Sequence, residues 1–152
     1  MINNDVLRSL RYTLNASDAE MAEIAQLTGC EIPEAEMAAY LKKEDEDGYK
    51  PCGDRIMAYF LDGLVIHKRG KDESRPAPPI ELPLTNNLIL KKLRVAFELK
   101  EEDLHAILKN AGFPISKPEL SALFRKVGHS NYRVCGDQLL RNFLKGLALD
   151  TR

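Results

Sequence analysis

Two matched stretches of this 152-residue chain hold the residue types most able to do chemistry: Tyr49-x-x-Cys52-Gly53-Asp54 and Tyr132-x-x-Cys135-Gly136-Asp137. A cysteine just ahead of a helix sits at the positive end of the helix dipole. That position lowers a thiol's pKa and favours thiolate chemistry. The same residues also have structural uses. The glycine makes a turn, the aspartate caps the following helix, the cysteine is a small buried hydrophobe and the tyrosine closes the core. A thiolate enzyme needs a base, and no histidine recurs. His67, His105 and His129 align with Asp150, Ala22 and Glu46. The structural assignment is therefore expected, and with it a non-catalytic protein without cofactor or metal. Arg11 and Arg94 form a second matched pair, each beside the apolar stripe of a first helix. An arginine so placed needs a partner. Asp54 and Asp137 are the expected partners, tying the first helix of each copy to its fourth. Alternatively, the arginines hold an anion or a partner's carboxylate. Arg11, Tyr49, Asp54, Arg94, Tyr132 and Asp137 are thus the candidate ligand- or partner-binding positions.

A third arrangement is a helix-turn-helix outline, which any small helical bundle contains. At its third helix one copy has Glu34 and Glu36, which repel phosphate. The other has Lys117, Ser121, Arg125 and Lys126, which suit a nucleic-acid backbone. The loop Glu44-Asp45-Glu46-Asp47-Gly48 resembles a calcium loop, but Lys43 falls where its first carboxylate belongs, so no metal is expected.

The elements that carry these residues occur twice. Shifted by 83 positions, residues 3–69 lie over 86–152 without a gap. Asn3-Asn4 meets Asn86-Asn87, Leu10-Arg11 meets Leu93-Arg94, Gly29 meets Gly112, and Phe60-Leu61-x-Gly63-Leu64 meets Phe143-Leu144-x-Gly146-Leu147. An unbroken offset of this length identifies tandem structural repeats. Each copy reads as four helices. The first lies near Asp5–Leu14 and Leu88–Phe97, with Asn4 and Asn87 at the N-cap. The second lies near Asp18–Leu27, opened by the capping box Ser17-x-x-Glu20 and followed by Gly29. The third starts after Ile32 and Ile115, with Pro33 or Ser116-x-x-Glu119 at its opening. The fourth begins near Asp54 and Asp137. It is the most regular and contains Gly63 and Gly146, whose mid-helix position suggests a close helix approach. The predicted fold is all-α, two tandem four-helix repeats related by approximate two-fold pseudo-symmetry. The fourth helices are expected at or near the contact between copies. Residues 1–70 and 85–152 form the repeats, and 71–84, with Pro76, Pro78, Pro79 and Pro83, form a proline-rich connector.

Tandem copies with Asn-Asn at the start, Tyr-x-x-Cys-Gly-Asp before the last helix and Phe-Leu-x-Gly-Leu within it resemble the YehS-like family (domain of unknown function 1456). The resemblance spans both repeats. It implies a small bacterial, cytosolic two-repeat protein and brings no activity, cofactor or site residue.

Bulk properties agree with a globular chain: 44% hydrophobic and 30% charged. No apolar run approaches the roughly 18 residues of a membrane span. The opening Met1-Ile2-Asn3-Asn4-Asp5 has no basic or apolar leader character, and three cysteines without metal-type spacing suit a reducing cytoplasm. Charge is unevenly shared. Residues 1–70 hold 8 basic and 13 acidic side chains, net −5, whereas 85–152 hold 12 and 7, net +5. Opposite charge on similar modules favours their pairing, within a chain or between chains as a homo-oligomer. The expected function is a non-catalytic adaptor or regulator that binds another protein through a charged face. The rival is a nucleic-acid binder working through the basic second repeat.

Overall fold

In the computed structural model, which describes residues 1–75 and 78–151, the chain forms eight helices and, among the described residues, no strand. Pro76 of the connector and Arg152 of the second repeat lie outside the described residues. The chain divides into two compact units, Met1–Leu84 and Thr85–Arg152. The first holds α1 (Asn3–Leu14), α2 (Asp18–Gln26), α3 (Glu34–Leu41) and α4 (Asp54–Arg69). The second holds α5 (Asn86–Ala96), α6 (Glu101–Asn110), α7 (Lys117–Leu123) and α8 (Asp137–Thr151).

Helical periodicity sorts the core in each unit. Leu7, Leu10, Met21, Met37, Met57, Phe60 and Leu64 are fully enclosed in the first, as are Leu93, Leu104, Leu140, Phe143 and Leu147 in the second. Burying each such side chain contributes about 1.5–3 kcal/mol. In unit 1, α2 packs mainly on α4 and α3, and α1 on α3 and α4. In unit 2, α8 packs on α6 and α5.

The helix ends obey local rules in most places. Ser17 Oγ accepts from Glu20 N at 3.1 Å while Ser17 N donates to Glu20 Oε1 at 3.0 Å, and Ser116 and Glu119 form the same pair of bonds. Gly29 and Gly112 take the left-handed conformation, at φ +85° and +80°.

One sequence expectation fails, for a tertiary reason. Asn4 and Asn87 are not N-caps. Helix α1 starts two residues earlier, after Ile2, and α5 starts after Thr85, whose hydroxyl accepts from Leu88 N at 3.1 Å. The asparagines are needed elsewhere, as described below. The close helix approach expected at Gly63 and Gly146 is made within each unit. A Cβ on Gly63 would overlap the carbonyl oxygen of Ile24 on α2 and lie 2.9 Å from its carbon. A Cβ on Gly146 would overlap the Ile107 carbonyl oxygen on α6. Glycine at these positions lets the second and fourth helices of each unit meet backbone to backbone.

Candidate functional site: a basic groove on the second unit

The Asn-Asn pair organises the ground beneath any site. Asn4 is 1% exposed, and its amide donates to Tyr40 O and Lys50 O, both at 2.9 Å, while its Oδ1 accepts from Cys52 N at 3.0 Å. Asn87 repeats the set with Leu123 O at 3.0 Å, Arg133 O at 2.8 Å and Cys135 N at 2.8 Å. Each buried asparagine therefore pins the end of the third helix and the loop after it to the first helix. Its neighbour closes the staple. Asn3 donates to Cys52 O at 3.0 Å and Asp54 Oδ1 at 2.9 Å, and Asn86 donates to Cys135 O at 3.0 Å and Asp137 Oδ1 at 2.8 Å.

This geometry corrects the arginine pairing. Asp54 opens α4 as its first residue, with Gly53 at the cap position, and its carboxylate is held by Asn3. Arg11 lies two turns further along α1, about 12 Å away at 1.5 Å per residue. It bonds Asp18 on α2 at 3.1 Å instead. Arg94 donates to Leu99 O at 3.1 Å and places its guanidinium 4.6 Å from the Phe124 ring centre, a cation–π contact. Both arginines are thus engaged locally. Tyr49 and Tyr132 are half-buried beside their loops and do not close the core. The six matched candidates therefore do not converge on one pocket in either unit.

The cysteines are held as neutral thiols. Burial, reinforced by nearby Asp54, pushes Cys52 up to about 12, and burial with Asp137 pushes Cys135 up to about 11. The helix dipole is outweighed by desolvation, which disfavours the charged form. Cys30, half-buried, is also pushed up by burial. Among the described residues, no group of three or more His, Cys, Asp or Glu is placed to hold a metal.

Where the copies differ, the second unit opens a groove of about 630 Å³ along α7. One wall is Lys117, Pro118, Ser121, Ala122 and Arg125, and the other is Asn131 and Arg133 from the returning loop. That loop is fastened to the helix by Arg133 N donating to Ala122 O at 3.1 Å, and to α5 by Asn87. Glu119 lines the groove and is neutralised there. It accepts from Ser116 N and is ion-paired with Arg133, and these bonds bring its carboxyl down to about 2. By contrast, the side chains of Lys117, Arg125 and Lys126 are exposed and have no hydrogen-bond or ionic partner among the described residues. Two exposed apolar side chains stand next in sequence to the basic residues here, Val127 after Lys126 at 81% and Val134 after Arg133 at 70%.

The equivalent place in the first unit is built differently. Lys42, the counterpart of Arg125, reaches across to Asp47 O at 2.8 Å and covers Gly48, the counterpart of Asn131. Lys50 pairs with Glu36 at 2.9 Å. Lys117, Val127 and Val134 are replaced by Glu34, Glu44 and Pro51. Of the four residues singled out for nucleic acid, Lys117, Ser121 and Arg125 line the groove, and Lys126 stands just beyond it. Asn131 and the two valines are not among the site candidates of the sequence reading, which counts Arg133 only toward a general basic surface. The signal for Arg133 was available, since a base follows the first-turn glutamate by 14 residues in both copies.

Comparison with known proteins agrees with the repeat. The family described as "Protein of unknown function (DUF1456)" matches residues 3–70 and again 86–152. The chain is 48% identical over 148 residues to "Uncharacterized protein YehS" of Escherichia coli (strain K12), an alignment covering 97% of this chain and 95% of that one. No solved structure matches.

Proposed function

The chain belongs to the DUF1456 family, and on that premise we propose that it is a non-catalytic adaptor or regulatory protein of the bacterial cytoplasm, which binds an acidic segment of a protein through the groove along α7. One observation carries this reading. Lys117, Arg125 and Lys126 stand together at the groove without internal partners, in a unit whose other groove charges, Arg133 and Glu119, satisfy each other. Uncompensated cations beside a concave surface attract carboxylates and accelerate their encounter. The exposed Val127 and Val134 add apolar contact of a kind that protein segments use and a phosphate backbone does not.

The nucleic-acid alternative has less support. Helix α7 has only seven residues, and the preceding α6 opens with Glu101, Glu102 and Asp103, which would face the phosphates in a helix-turn-helix docking. No helix among the described residues is long and apolar enough to cross a membrane. A labelled Asp/Glu-rich peptide carrying one leucine, titrated by fluorescence polarisation, tests the proposal. Binding should weaken with salt and fall at least about tenfold in a Lys117→Glu/Arg125→Glu variant, since like charges at a contact cost several kcal/mol. Tighter, salt-dependent binding of duplex or single-stranded probes would instead establish the rival.

A further inference from the structure

We propose that the acidic segment received by the α7 groove is supplied by a second copy of this chain, from the α3–α4 face of its first unit. The inference rests on the groove being a site for carboxylates and adds the identity of the occupant. The carboxylates of Glu34, Glu44, Asp45 and Asp47 are exposed and make no hydrogen bond or ion pair among the described residues. Glu46 is used locally, accepting from Lys43 N at 3.0 Å. The corresponding face of the second unit carries Lys117, Arg125 and Lys126, which are equally unpartnered.

Equivalent surfaces on the two units thus differ in charge at the start of the third helix and in the loop after it, while Arg125 and Lys126 have basic counterparts in Lys42 and Lys43. Glu34 is replaced by Lys117 at the same helical position, and the acidic loop 44–47 is replaced by the loop 127–130, which carries no carboxylate. Four free carboxylates on one face, offset by the exposed ammonium of Lys43, and three free cations on the other supply the charge complementarity of a head-to-tail contact. The asparagine clamp anchors the backbone on either side of each face, at Tyr40 and Lys50 in the first unit and at Leu123 and Arg133 in the second, which limits the ordering cost of docking. A heterologous contact of this kind closes into a ring or propagates, so the association should be concentration-dependent as well as salt-dependent.

Charge swapping tests this in the full-length protein. Sedimentation equilibrium at low salt should give a mass above the monomer, falling to the monomer at high salt. An Arg125→Glu/Lys126→Glu variant should be monomeric, and so should an Asp45→Lys/Asp47→Lys variant, each with wild-type helical circular dichroism because the altered side chains are exposed and unpartnered. Mixed together, the two variants should associate again, since each supplies the face the other needs. A wild-type protein that stays monomeric at low salt, an oligomer indifferent to both variants, or a mixture that stays monomeric would overturn the inference. If the acidic peptide still binds the groove of such a monomer, the docking site stands and only its occupant was wrong.

Discussion

Asn4 and Asn87 are small polar residues within apolar bundles, and each satisfies three backbone groups, two of them buried. An orphaned buried donor or acceptor costs about 1–3 kcal/mol. Asn4→Ala should therefore lower stability by about 3 kcal/mol or more in urea unfolding, while Asn3→Ala, at a less buried staple, should cost about 1 kcal/mol. Equal effects of the two would contradict the clamp. The cysteines make a second residue-scale prediction. Cys52 titrates near 12 in the fold against a reference of 9.0. Its folded-state pKa is raised, so its contribution is fully present below about pH 9 and is lost as pH rises toward 12, at up to about 1.4 kcal/mol per pH unit. The urea midpoint should fall between pH 9 and 11, and less steeply in Cys52→Ala. Thiol labelling at neutral pH should reach Cys30 first, with Cys52 and Cys135 protected until the protein unfolds.

At the scale of elements, the tightest relation is between the second and fourth helices of each unit, where a glycine faces a carbonyl. Gly63→Ala would gain about 1 kcal/mol of helix propensity. It would also force apart two backbones, and overpacking of that kind costs about 1–3 kcal/mol or more. The net effect should be destabilisation, measured by a lower thermal midpoint, and Gly146→Ala should behave alike. A stabilised Gly63→Ala would show that the helices can separate freely. Most element ends were legible because capping is local: Ser17, Ser116, Gly29 and Gly112 act on backbone groups within a turn. The α1 and α5 starts were not legible. An asparagine at a helix start looks like a cap until the third helix and its loop, some 36–48 residues away, claim its amide.

For the whole molecule, the two units each have their own enclosed core and their own complete asparagine clamp. A fragment of residues 85–152 should thus fold alone, giving a helical circular dichroism spectrum and a cooperative thermal transition. A fragment without a cooperative transition would mean that the second core needs the first. The salt-dependent mass of the intact chain belongs to this scale too, because it depends on the uneven charge carried by the two units.

By itself, the sequence determined the all-α class, the tandem repeat, the core faces and the charge contrast. Each of these is written in periodicity, in offset identity or in composition, and needs no knowledge of distant contacts. The tertiary structure decided which matched polar residues meet. Arg11 and Asp54 share a plausible chemistry, yet two helical turns separate them, and Asn3 and Asp18 stand nearer. It also decided that the cysteine thiols stay neutral, because burial outweighs the helix end. Finally, it gathered Lys117, Arg125, Asn131 and Arg133 around one groove, since a loop fastened by Asn87 brings residues distant along the chain to the side of α7.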